Sequence, residues 1–184
     1  MTEVAQADRR IQKTLNALRE AFFELVLSHS YDEIKVSDII EKADVGRSTF
    51  YQHYKSKDEL LAVSLHYPLT VLVQSADINE DELIKLMAHF WENRRFAPRI
   101  FAGNARRQVV IALTNLHVSS LEKHCKQQGI NPKIPTSMAA HQLAEAQLVV
   151  VIDWLLGKGS CSNETMAKHL VDITKAMRKA LLSK

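Results

Sequence analysis

The chain has 184 residues, 46% of them hydrophobic and 24% charged, with a formal net charge of +3. That composition is ordinary for a globular protein and excludes a disordered chain. Only 5 Gly and 4 Pro serve the whole length, too few turn residues for a many-stranded β fold, so the expected class is all-α, with long helices and short connections.

Met1 to Arg10 is polar and lacks the apolar run of a signal peptide. A first helix is expected over about Asp8–Ser28, where Ile11, Leu15, Leu18, Phe22, Leu25 and Val26 recur at three- and four-residue steps. Ser30-Tyr31-Asp32 breaks that pattern. A short helix follows over Val36–Ala43, with Ile39, Ile40 and Ala43 inward. Asp44-Val45-Gly46 reads as a tight turn, because Asp and Gly both tolerate the left-handed conformation a sharp reversal needs. A third helix is expected over Arg47–Tyr54, burying Phe50 and Tyr54 at i, i+4. Ser56 starts a fourth as its cap, with Glu59 at the capping-box position. That helix carries Leu60, Leu61, Val63 and Leu65, and Pro68 should kink or end it.

The sequence turns polar around Ser75–Asn79, and further helices are predicted at Glu80–Arg94, near Pro98–Gly103, and at Ala105–Gln128, Ser137–Leu156 and Asn163–Leu182. Gly129 and Gly157 stand where helix-ending glycines belong. No strand is convincing. The most apolar stretch, Leu143–Leu156, is interrupted by Glu145, Gln147 and Asp153 and is too short and too charged to span a bilayer. The expectation is a soluble, cytoplasmic protein.

The chemistry concentrates in Lys35–Lys57. Two short helices joined by a turn cannot bury enough apolar surface alone, so they must pack on the first helix through Ile39, Val45 and Phe50. Arg47, Ser48, Thr49, Tyr51, Gln52 and His53 then project outward. They form hydrogen bonds and include one cation and no carboxylate, as suits a helix laid into a major groove. Lys55 and Lys57 follow at once. From composition alone, a solvated surface helix explains this face equally well.

The run Ser37-Asp38-Ile39-Ile40-Glu41-Lys42-Ala43-Asp44-Val45-Gly46-Arg47-Ser48-Thr49-Phe50-Tyr51-Gln52-His53-Tyr54-Lys55-Ser56-Lys57-Asp58-Glu59-Leu60-Leu61 strongly resembles the DNA-binding segment of the tetracycline-repressor (TetR) family. The resemblance implies a three-helix helix-turn-helix unit over 1–58 and a larger helical effector-binding and dimerisation unit over 59–184. It implies that Arg47, Ser48 and Thr49 meet base edges or phosphates, that Tyr51 and His53 meet the backbone, and that Lys57 clamps a phosphate. Gln52 suits adenine, since an amide can pair with it bidentately. The chain departs from the family at Lys35, where Thr is usual, and at Asp44, where Gly is usual. Either Ser37 caps a helix that starts slightly later, or Lys35 itself meets a phosphate.

The resemblance implies a repressor whose partners are double-stranded DNA carrying a palindromic operator, a second copy of the chain, and a small effector of unknown identity; a repressor or activator controlled by a protein partner in place of that effector is the alternative. Leu148 to Ile152 is apolar nearly all round its helix, so Leu148, Val151, Trp154 and Leu155, with Leu170, Ile173 and Met177 of the last helix, are expected at the dimer interface. Met87, Phe90, Trp91, Phe96, Phe101 and His117 are the candidate effector pocket. Cys125 and Cys161 form no disulfide framework. The eight histidines show no short metal-ligand spacing, and Gly157-Lys158-Gly159-Ser160 is a helix-to-helix turn rather than a phosphate loop. No metal, cofactor or catalytic set is expected. A small helical enzyme is the least favoured reading.

Overall fold

The apolar stripe of the first helix is the surface on which the N-terminal segment assembles. In a computed structural model describing residues 3–183, with side chains over 9–182, α1 (Glu3–Ser28) buries Leu18, Ala21, Phe22 and Val26. Against it pack α2 (Val36–Ala43) through Ile39 and α3 (Arg47–His53) through Phe50, both residues wholly buried. Removing a Phe or Leu side chain from water contributes about 1.5–3 kcal/mol. Tyr54 is also buried but lies one residue past α3, in extended backbone.

The fourth predicted helix is two helices. α4 (Lys57–Ser64) ends before Leu65 and α5 (His66–Val73) begins after it, so the break falls ahead of Pro68 rather than at it. The position follows from proline chemistry: Pro68 has no N–H for Ser64 and its ring crowds that carbonyl, four residues back. Ser56 caps α4 as expected, accepting from the Glu59 N–H at 3.2 Å. Glu59 reaches past Ser56 to accept from the Lys55 N–H at 2.5 Å.

The rest comprises α6 (Glu80–Glu92), a 3₁₀ turn at Arg94–Phe96, α7 (Ala97–Ile100), α8 (Gly103–Gln128), α9 (Thr136–Leu155) and α10 (Asn163–Leu181). α8 packs along α9, and α10 packs on α6 and α9. One strand pair was not foreseen: β1 (Asn131–Pro132) pairs antiparallel with β2 (Leu182–Ser183) and ties the chain end to the α8–α9 loop. The end glycines are as expected, with φ of 63° at Gly129 and 72° at Gly157. Among the described residues no helix is long and apolar enough to cross a membrane.

One apolar core runs from Leu18 of α1 to Leu170 of α10, and this corrects the expected interface. Leu148, Val151, Trp154, Leu155 and Leu170 lie inside the chain's own core, while Ile173 and Met177 are half-buried. A helix apolar nearly all round needs cover on several sides, expected from the chain's own core and a partner subunit together; here α8 and α10 of the same chain supply most of it. The large apolar side chains left exposed along α9 and at its cap are instead Met138, Val149 and Leu156, at 58%, 48% and 40% exposure.

Within this core sits a buried polar group assembled from four places in the chain. The Gln147 amide nitrogen donates to the Leu72 carbonyl and the Thr174 hydroxyl, both at 2.9 Å, with Ser75 Oγ at 3.3 Å. Its oxygen lies 2.9 Å from His117 Nε2. One helical turn beyond Thr174, Arg178 donates to the Val73 carbonyl at 2.8 Å and pairs with Asp77 at 2.5 Å. The end of α5 is thereby bonded to α9 and α10, and through Gln147 to α8.

Candidate nucleic-acid interface

The turn between α2 and α3 decides where α3 points. Asp44 takes the left-handed conformation (φ 52°, ψ 49°), and the N–H of Val45 closes back on the Ile40 carbonyl at 3.2 Å. Asp therefore does the work of the glycine usual at this place. Gly46 is extended, at φ −70°, and precedes α3 without needing left-handed freedom. At the other end of α2 the helix begins at Val36, neither late nor uncapped: the Asp38 carboxylate accepts from the Lys35 N–H at 2.8 Å. That bond holds the Asp38 carboxyl below the usual carboxylate range, aided by Ser37, whose hydroxyl lies 3.2 Å from it. Asp38 was missed as a positioning residue, although an acid three residues after the helix start is a sequence signal for this role.

With Phe50 anchored inward, α3 exposes Arg47, Ser48, Tyr51 and Gln52 and half-exposes Thr49 and His53. All six side chains sequence reasoning assigned to this helix thus share one solvent-facing surface. The Arg47 guanidinium sits over the Tyr51 ring, 5.7 Å from its centre, and Tyr51 stands edge-on to Phe50. This stacking restrains two long side chains before any partner arrives. Lys35, Ser37 and Lys55 are also exposed, and the ammonium groups of Lys35 and Lys55 have no ion-pair partner among the described residues.

Lys57 is placed differently from its expected role. Its ammonium donates to the carbonyls of Tyr31 at 2.6 Å, Ile34 at 2.7 Å and Asp32 at 3.4 Å, and lies 4.6 Å from the Tyr31 ring centre. Its three donors are taken up by the α1–α2 loop. Tyr31 in turn donates to the Asp58 carboxylate, and burial with that carboxylate beside it pushes the phenol far above its usual range. Lys57 and Asp58 thus hold the loop to the start of α4. A contact spanning 26 residues leaves no periodic trace in the sequence.

The six residues expected to form an effector pocket take part in separate contacts. Phe96 packs on Phe23 of α1 at 5.5 Å, and Trp91 on Trp154 at 5.0 Å with Arg94 over it. Met87 is core, Phe90 and Phe101 are half-buried core neighbours, and His117 belongs to the polar group around Gln147. None of them lines the cleft of about 430 Å³ that opens between α8 and α9.

Residues 18–63 match the family model described as bacterial regulatory proteins, tetR family, which covers α1 from Leu18, all of α2 and α3, and most of α4. Over 57 residues the chain is 44% identical to the HTH-type transcriptional regulator YxbF of Bacillus subtilis, a match to 30% of this chain and 15% of that protein. Over 91 residues it is 32% identical to DhaS of Lactococcus lactis, the transcriptional activator of a dhaKLM operon, matching 48% of this chain and 49% of that protein. The chain thus spans half or less of the length of these curated relatives. A solved TetR transcriptional regulator from Streptococcus agalactiae shares the fold along nearly the whole chain, with a TM-score of 0.56, 26% identity, and coverage of 93% of this chain and 98% of that one. Residues 18–63 are thus a segment of the tetR family of bacterial regulatory proteins, and the chain along nearly its whole length has the fold of a solved TetR transcriptional regulator.

Proposed function

We propose that the chain acts as a homodimeric repressor, reading an inverted-repeat operator with α3 and released by a small effector. The observation that carries DNA reading is the acid-free outward face of α3, with Arg47, Ser48, Tyr51 and Gln52 exposed together above a buried Phe50. Arg47, Lys55 and Lys35 supply phosphate contacts, and Ser48, Thr49 and Gln52 supply base contacts. Met138, Val149 and Leu156, exposed along α9 and at its cap, support the dimer, since three large apolar side chains left facing water favour burial against a second copy. Two α3 helices related by a two-fold axis then meet half-sites roughly 34–36 Å apart.

Selection of bound DNA from random sequence tests this reading. The expected product is an inverted repeat, and Gln52→Ala should change which bases are selected. Arg47→Ala should weaken all sequences and flatten the slope of log K against log salt by about 0.9. Selection of no defined sequence, or a wild-type monomer at micromolar concentration, overturns it. The name of the Lactococcus relative, an activator, favours a second reading in which the bound protein raises transcription. A reporter placed behind the selected operator separates the two by the sign of its response.

A further inference from the structure

The cleft between α8 and α9 has a definite chemistry. At one end Arg106 of α8 pairs with Glu145 of α9, at 2.5 and 3.3 Å. Two turns along α8, Thr114 lies 3.4 Å from His141 of α9. Between these contacts Val110 and Ile111 line the space, and Ile111 is 43% exposed, a large apolar side chain left facing water in a concavity. Arg107, one turn before Ile111 on the same helix face, is exposed and has no hydrogen-bond or ion-pair partner among the described residues. The charge of Arg106 is met by Glu145; that of Arg107 is not.

We propose that this cleft binds a small amphipathic anion, a carboxylate with a short aliphatic body. The carboxylate lies on the Arg107 guanidinium, whose planar fork donates to it bidentately, and the aliphatic part covers Val110 and Ile111. A volume of about 430 Å³ is that of a small-molecule site. The same cleft reaches the DNA-binding segment. Gly103, the first residue of α8, lines it, and a Cβ at that position would stand 3.3 Å from the Asp32 carboxylate of the α1–α2 loop. That loop is the one Lys57 holds. An occupant beside Gly103 would therefore lie close to that loop. The effect on DNA rests on the function proposed above; the binding does not.

The test is titration calorimetry of the full chain with sodium octanoate, and with octan-1-ol as its uncharged counterpart. Octanoate should bind once per chain. Arg107→Gln should weaken octanoate about tenfold or more and leave octanol unchanged, whereas Ile111→Ser should weaken both. Octanoate that does not bind, or that binds Arg107→Gln as tightly as wild type, overturns the site. So does an Ile111→Ser variant that sediments as monomer where wild type is a dimer, because the cleft is then covered by a second copy. If octanoate binds in the Arg107-dependent way and operator affinity stays unchanged, the site stands and the effector reading of the protein fails.

Discussion

The segment through α4 and the helices that follow it handle polar side chains in opposite ways. In the first, the side chains proposed to meet DNA point outward from a wholly apolar core of Leu18, Phe22, Ile39 and Phe50, and they lie within the run from Lys35 to Lys57. In the second, the densest polar chemistry is inside, drawn from Ser75, His117, Gln147, Thr174 and Arg178. The outward set is built for a partner in water and contributes little to the fold. The inward set makes bonds between residues 27 to 105 apart, and it contributes to the fold because an unmade hydrogen bond there has no water to replace it.

The largest effect should come from breaking the inward set. Gln147→Leu removes one of the donors to the Leu72 carbonyl and to the Thr174 hydroxyl, which keep the Ser75 N–H and the Ser75 hydroxyl, and leaves the buried His117 Nε2 without its acceptor. The expected loss is about 3 kcal/mol or more, a fall in Tm of roughly 6–12 °C, read by thermal denaturation. Gln52→Leu on the outward face should move Tm by less than about 0.5 kcal/mol's worth, so similar falls for the two would erase the contrast.

His117 sharpens it through pH. Burial, with a smaller contribution from nearby Arg178, pulls its pKa from 6.5 down to about 4, although the Gln147 bond opposes the shift. For Nε2 to donate to the Gln147 oxygen, Nδ1 is the bare nitrogen, and it is buried without a partner. A proton added there would have no acceptor. Between pH 6.5 and 4 the unfolded chain therefore binds a proton that the folded chain refuses. The stability tied to neutral His117 is complete above 6.5 and is lost as pH falls toward 4, by about 3 kcal/mol in all. Denaturant midpoints across that window should fall more steeply for wild type than for His117→Gln. Parallel curves would mean that the imidazole is not held neutral.

Lys57 tests the boundary between the two kinds of residue, because it lies in the outward run yet bonds inward. Lys57→Met keeps the aliphatic stem near Tyr31 and removes the ammonium, at an expected cost of about 1–2 kcal/mol and faster amide exchange in the α1–α2 loop. The salt slope of DNA binding should be unchanged; a slope flatter by about 0.9 would return Lys57 to the phosphate. The smallest effect belongs to Asp44→Gly. Relief of the left-handed φ of 52° should outweigh the added freedom of the unfolded chain and stabilise by about 0.5 kcal/mol. A loss would show that the Asp44 side chain does more than tolerate the turn.

The all-helical class, the bounds of α2 to within a residue and the outward face of α3 were legible in the sequence because each follows from local causes. Periodicity selects the buried stripe, Asp44 permits the turn, and one inward Phe50 turns its helical neighbours toward solvent. The break at Leu65 was nearly legible, since Pro68 acts one turn upstream of itself. What only the tertiary structure decided has no local cause. That Lys57 faces a loop rather than a phosphate depends on where Tyr31 and Ile34 end up, 26 and 23 residues away. That Leu148, Val151 and Trp154 are core rather than interface depends on how much of α9 the neighbouring helices cover, and an apolar run reads the same whether its cover comes from its own chain or another. The sequence by itself determined which faces are buried; the packing of distant helices decided what buries them.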